Sequence, residues 1–150
     1  GTMKTLFKSI NILMADDDPD DRMLMKEALE ENKLPNTINF VEDGAELMDY
    51  LNRKGQFTLE NTVKPGLIFL DLNMPKIDGR EALRLIKSDP QLRRIPVIVL
   101  TTSKADEDVV KTYDLGVNSY ISKPARFADL VKVTREIGRY WFATVELPSV

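Results

Sequence analysis

Three aspartates, a threonine and a lysine stand where short apolar runs end. The run Leu67-Ile68-Phe69-Leu70 has no polar alternation, so it reads as a central strand covered on both faces. Pro75 and the Asp78-Gly79 pair then take the chain out of the sheet just past Asp71 and into a helix near Arg80. Asp71 therefore falls at the carboxyl edge of a sheet, where open α/β proteins keep their chemistry. Asp16 and Asp17 close the run Ile10 to Ala15 in the same way, while Thr101 and Lys123 follow two further runs. Taken singly, each has an ordinary reading: a strand-end Asp, an acidic helix start, a solvated lysine. Their joint occurrence at successive strand ends argues for a site.

Carboxylates that converge in a crevice repel one another unless a cation sits between them. Asp17 and Asp71 offer hard oxygens, the backbone carbonyl of Asn73 completes the protein's share of a shell, and Asp16 serves through a water. Oxygen donors without nitrogen or sulfur, with room for waters and a phosphate oxygen, point to Mg2+. Beside a bound cation an anion is welcome, and its receptors are the Lys123 ammonium as a point charge and the Thr101 hydroxyl as a donor. Asp71 then reads as a nucleophile for phosphoryl transfer, forming an acyl phosphate.

Composition narrows the field. The 150 residues suit one domain, and 43% hydrophobic with 30% charged residues is ordinary for a soluble globular protein. With no cysteine and no histidine, the chain has no disulfide, thiolate metal site, imidazole triad or phosphohistidine of its own. A net charge of -3 makes no electrostatic case for nucleic acid. No run is long enough to span a membrane, and no signal-peptide pattern opens the chain, so the expected address is the cytoplasm. Gly1-Thr2 before Met3 reads as a cloning remnant, leaving one domain over 3–150.

The elements that must position the site follow in order. A first strand over 10–15 leads to a helix over 19–32, with Asp18 as N-cap, Pro19 first in the helix, and Leu24, Met25, Ala28 and Leu29 facing inward. A strand over 37–41 precedes a helix from Gly44 to about Arg53, with Leu47, Met48 and Leu51 inward. The polar connection 54–66 is long for such units and reads as variable, partner-specific surface. After the central strand come a helix over 80–88, a strand over 97–100, a helix over 105–115, a weak strand over 118–121, and a last helix over 126–140 with Phe127, Leu130, Thr134, Ile137 and Trp141 along one face. Alternation of this kind predicts a doubly wound, flavodoxin-like α/β fold: a five-stranded parallel sheet in the order 2-1-3-4-5 with five helices. In that order Asp16, Asp17 and Asp71 meet at the switch-point crevice.

Asp16-Asp17, Asp71 within Leu-Asp-Leu-Asn-Met-Pro followed by Asp78-Gly79, Thr101, Tyr120 and Lys123-Pro124 together resemble the receiver domain of two-component response regulators over nearly the whole chain. The resemblance implies that Asp71 accepts phosphate from a phosphohistidine on a sensor kinase, and that the chain is a substrate of that kinase rather than an enzyme, with slow autodephosphorylation at most. It implies a switch in which Thr101 moves toward the phosphoryl oxygens and Tyr120 rotates into the vacated space, changing the face of the fourth helix, fifth strand and fifth helix. The loop 54–66, the run 95–103 and the ending Tyr-Trp-Phe-Ala-Thr-Val-Glu-Leu-Pro are similar to small stand-alone regulators paired with bacterial phytochrome kinases. Two positions depart from the common pattern: Thr102 stands where alanine or glycine is usual, and Ala125 where an aromatic often follows Lys-Pro. With no output domain expected after the last helix, the signal passes to another protein or by self-association; the extension over about 142–150 packs back on its own domain or makes a homodimer contact, and the resemblance favours the dimer. Two rival classes are a phosphorylation-independent interaction module with the same fold and an aspartyl-phosphate hydrolase, the latter wanting an acid where Asn73 stands.

Overall fold

The computed structural model describes residues 5–7, 10–33, 36–101, 119–122, 126–141 and 143–145. In chain order these form β1 (Thr5–Phe7), β2 (Ile10–Ala15), α1 (Pro19–Glu31), β3 (Asn36–Val41), α2 (Gly44–Asn52), β4 (Leu67–Asp71), α3 (Gly79–Ser88), a 3-10 turn (Leu92–Arg94), β5 (Val97–Thr101), β6 (Ser119–Ser122), α4 (Phe127–Trp141) and β7 (Ala143–Val145). The helix expected over 105–115 lies outside the described residues.

Local chemistry starts each of the first three helices. Asp18, Asp43 and Asp78 are N-caps whose side chains accept from the amides of Asp20, Glu46 and Glu81. Pro19 opens α1, and Asp20 and Asp21 meet its positive end. Each cap falls directly after a strand or its loop, so the sheet's carboxyl edge is also where these helices begin.

The main sheet is parallel, in the order β3-β2-β4-β5-β6. This is the expected order; every strand number is raised by one because β1 precedes it. From β2 the chain crosses to β3 on one side and then returns past β2 to β4 on the other, which opens a crevice between the carboxyl ends of β2 and β4. Successive side chains of the strands feed two cores. Leu13, Ala15, Ile68, Leu70, Val97 and Val99 pack under α2 and α3, while Ile12, Met14, Leu67, Phe69, Ile98 and Leu100 pack under α1 and α4. All five residues of β4 are buried, as a strand covered on both faces requires.

Two side-chain expectations are corrected, and two further features go beyond the sequence reading. Leu24 is 38% exposed rather than inward, because it lies about 100° around the helix from the Met25, Ala28 and Leu29 stripe. Phe127 is 40% exposed at the first turn of α4 and leaves the inward face to Val131, Thr134 and Ile137. Tyr50, not assigned inward from the sequence, is 6% exposed and belongs to the α2 core. The connection 54–66 is an organised loop: Phe57 packs edge-on against Tyr50 at 5.1 Å, and the Tyr50 hydroxyl both donates to the Val63 carbonyl and accepts from its amide. The sequence also left the small antiparallel sheet of β1 and β7 unforeseen, in which Thr5, Leu6 and Phe7 pair with Val145, Thr144 and Ala143. Residues 143–145 thus pack back on their own chain.

Candidate functional site

Strands β2 and β4 run side by side with Ala15 opposite Leu70, so the next residues of each strand emerge together at the carboxyl edge. Oxygens of Asp16, Asp17 and Asp71 all lie within 4.8 Å of one another. Asp16 is 0% and Asp71 4% exposed, whereas Asp17 faces solvent. Holding two nearly dry carboxylates beside a third concentrates negative charge where water screens it poorly, an arrangement that favours a cation. The donors are all oxygen, one is open to solvent, and the chain has no imidazole or thiol to offer, so the residues present fit a hard divalent ion that keeps part of its water.

The pocket is fixed mainly through backbone groups. The Asp16 amide donates to the Val41 carbonyl (3.0 Å), and its Oδ1 accepts from the Asp18 amide (2.9 Å). Arg22 donates from one terminal nitrogen to the Asp16 carbonyl (2.8 Å) and from the other to Glu42 (3.3 Å), with only 17% of its side chain exposed. It thereby ties the loops after β2 and β3 together and sets the peptide that carries Asp17. Sequence reasoning missed Arg22; the signal was a basic side chain one turn into a helix whose first turn is otherwise acidic.

Asp71 is held from the other side. Its Oδ1 accepts from the Asn73 amide (3.0 Å), which fixes the rotation of the carboxylate, and the Leu72 amide donates to the Leu100 carbonyl (3.3 Å). The Gly79 amide donates to the Leu72 carbonyl (3.0 Å), and a Cβ at Gly79 would collide with the main chain of Asp71 and Leu72. Glycine is required here by close approach, since the N-terminus of α3 rests on the backbone that carries Asp71. Gly44 meets the Ile77 carbonyl in the same manner, and Lys76, at φ 64°, reaches Asp43 at 3.3 Å. Two helix starts are thus clamped onto the loop after β4. In that cluster burial, reinforced by Asp43 and Glu42, raises the Glu46 carboxyl above its ordinary 4.5.

Of the other expected site residues, Thr101 is the last residue of β5, and its backbone pairs with Ser122, the last residue of β6. It therefore stands at the same edge as Asp71, whose own partner on β5 is Leu100. Tyr120 lies in β6 opposite Val99. Asn73 is exposed beside Asp71. Lys123, Pro124, Ala125 and Thr102 lie outside the described residues. No described helix is long and apolar enough to cross a membrane.

A parallel sheet that reverses at its centre, with an acidic cluster in the resulting crevice, defines a receiver-type phosphorylation domain, and the sequence profile of the response regulator receiver domain matches residues 12–135. The chain belongs to the response regulator receiver family, whose members are phosphorylation-dependent signalling proteins. It is 42% identical over 138 residues to the response regulator Rcp1 of Synechocystis sp., with 92% of each chain covered. It is also similar to the crystal structure of the phosphorylated cyanobacterial phytochrome response regulator RcpA (44% identity, TM-score 0.81, covering 89% of this chain and 94% of that one). The Mn2+-bound form of Rcp1 matches at 41% identity and TM-score 0.81, covering 93% of this chain and 99% of that one.

Proposed function

We propose that this receiver domain accepts a phosphoryl group on Asp71 from the phosphohistidine of a sensor histidine kinase, and that the kinase is a phytochrome. The gathering of Asp16, Asp17 and Asp71 within 4.8 Å carries this reading. In the transfer the P–N bond of the phosphoimidazole breaks, its electron pair returns to the imidazole, and a bond forms from phosphorus to a carboxylate oxygen of Asp71. The Asn73 amide on Oδ1 keeps that carboxylate in a fixed rotation. Asp17, Asp71 and the Asn73 carbonyl are the residues that hold Mg2+, with Asp16 acting through a water. When bound, the ion supplies positive charge that offsets the carboxylates and the incoming phosphoryl oxygens. Lys123 and Thr101 receive those oxygens; the β5 and β6 ends at Thr101 and Ser122 support this assignment.

Thr101 and Tyr120 serve as the switch, moving the face built from the helix after β5, the strand β6 and the helix α4. Met23 (62% exposed) and Leu24 (38%) on α1, beside the acidic pocket, with Phe127 on α4, offer the kinase an apolar landing surface. Among the described residues β1 and β7 pair only with each other, and the outer edges of this two-stranded sheet support self-association into a homodimer. The domain over 3–150, its extension included, acts in the cytoplasm, where it signals by contact with a further protein and loses its phosphate slowly by its own action.

The test is incubation with acetyl phosphate and Mg2+ followed by intact mass. One phosphoryl adduct is expected, absent in Asp71→Asn and absent when the metal is chelated; an adduct that survives either change contradicts the site. Phosphotransfer from a phytochrome kinase is tested in the same assay. A concentration series in the ultracentrifuge that shows only monomer, phosphorylated or not, ends the dimer.

A further inference from the structure

At the end of the sheet opposite the aspartates, a cleft of about 120 Å3 opens between the end of α2, the loop leading into β4 and the 3-10 turn before β5. Its walls include Tyr50, Thr62 and Gln91 over an apolar floor of Leu92 and Ile95. Among the described residues only Arg53 and Lys64 carry charge there, so this lining is cationic in a chain whose net charge is -3. Among the described residues neither cation takes part in an ion pair.

The cleft is rigid. Arg53 donates from Nε to the Thr62 hydroxyl (3.1 Å), Thr62 donates in turn to the Thr58 carbonyl, and the Tyr50 hydroxyl bonds both main-chain groups of Val63. Arg53 itself ends α2 in the left-handed region, at φ 53° and ψ 53°, a conformation for which glycine is the usual residue. An arginine held there brings a guanidinium to the cleft at the expense of backbone ease. Val63, 44% exposed, is part of the lining, and Leu59, four residues earlier in the same loop, is 73% exposed.

We propose that this cleft docks an acidic segment of a partner protein: a Glu or Asp carboxylate enters between Arg53 and Lys64 while a neighbouring apolar side chain covers Leu59 and Val63. The space equals that of about four waters, which suits a carboxylate on a short stem. Two unpaired cations steer and then bind such a group through charge-assisted hydrogen bonds. A free small acid would leave the exposed Leu59 and Val63 uncovered, so the occupant that satisfies both features is a peptide chain. β4 separates the cleft from Asp71 by about 15 Å of strand, so the two ends bind independently.

The test is a titration of the full chain with acetyl-Leu-Glu-Leu-amide, followed through backbone amide NMR shifts. Saturable shifts at Tyr50, Val63 and Gln91 with a Kd of about 1 mM are expected, with at least ~10-fold weaker binding of the same peptide carrying Gln. Lys64→Gln, an exposed change that leaves the loop's hydrogen bonds alone, weakens binding roughly 3- to 10-fold, as does Leu59→Ser. Asp71→Asn binds the peptide unchanged, so failure here is separable from failure of the phosphorylation site. Equal binding of the Gln peptide, shifts confined to other surfaces, or no shift up to about 10 mM overturns the proposal. Free glutamate binding as tightly as the peptide overturns its assignment to a protein partner.

Discussion

The two ends of one sheet concentrate opposite charges and store their cost differently. At the carboxyl edge, two of three carboxylates are dry and the unfavourable term is electrostatic; main-chain amides and Arg22 keep the groups in place. At the amino edge the cations are solvated, and the unfavourable term is the left-handed backbone of Arg53, whose amide donates to the Tyr50 carbonyl and whose Nε donates to the Thr62 hydroxyl. Buried like charge favours a small hard ion that offsets it, whereas solvated charge beside exposed apolar surface suits reversible contact with another chain. A receiver needs the first for chemistry; the second is free to differ without disturbing it.

The sharpest way to break this contrast is to alter one end and measure at both. Asp71→Asn is expected to abolish the phosphoryl adduct in intact mass while leaving the cleft titration unchanged. Gly79→Ala drives a Cβ into the Asp71 and Leu72 backbone and is expected to cost about 2–4 kcal/mol in urea unfolding, with slower phosphorylation from acetyl phosphate. Asp17→Asn, at the exposed carboxylate, is expected to weaken Mn2+ binding by about 10-fold or more in calorimetry with little change in stability. Arg22→Met removes the bond to the Asp16 carbonyl, for a loss of about 1–2 kcal/mol in unfolding and a few-fold weaker Mn2+ binding; Arg22→Lys recovers part of the affinity. The smallest effect is at Glu46. Burial raises its pKa, so the ionised form is disfavoured in the folded state at neutral pH, and that penalty fades as pH falls through about 4.5. Glu46→Gln is therefore expected to stabilise the chain slightly at pH 7, by about 0.3 kcal/mol given solvent screening, and not at pH 3.5.

Strand and helix order was legible because apolar runs such as 67–70 end at unmistakable breakers, and because Asp18-Pro19 and Asp78-Gly79 announce helix starts. Among the described residues, boundaries agreed to within a residue or two where a cap or a glycine set them. The departures share a cause. Leu24, Phe127 and Tyr50 sit at stripe edges, where helical periodicity leaves the direction open and neighbouring elements decide burial. The loop 54–66 looked irregular because its order comes from side chains meeting the end of α2, which no local pattern encodes. The pairing of β1 with β7 joins residues more than 130 positions apart, a contact invisible to any short window.

By itself the sequence determined which residue types reach strand ends, the oxygen-only character of the donor set and the absence of any imidazole or thiol alternative, since these depend on identity and short-range order alone. Only the tertiary structure decided that Asp16, Asp17 and Asp71 share one pocket, that Arg22 and Gly79 hold it, and that Arg53 and Lys64 line one cleft at the far edge. The physical reason is that distance and desolvation set electrostatic strength, and both come into being when the crossovers bring separate strands side by side.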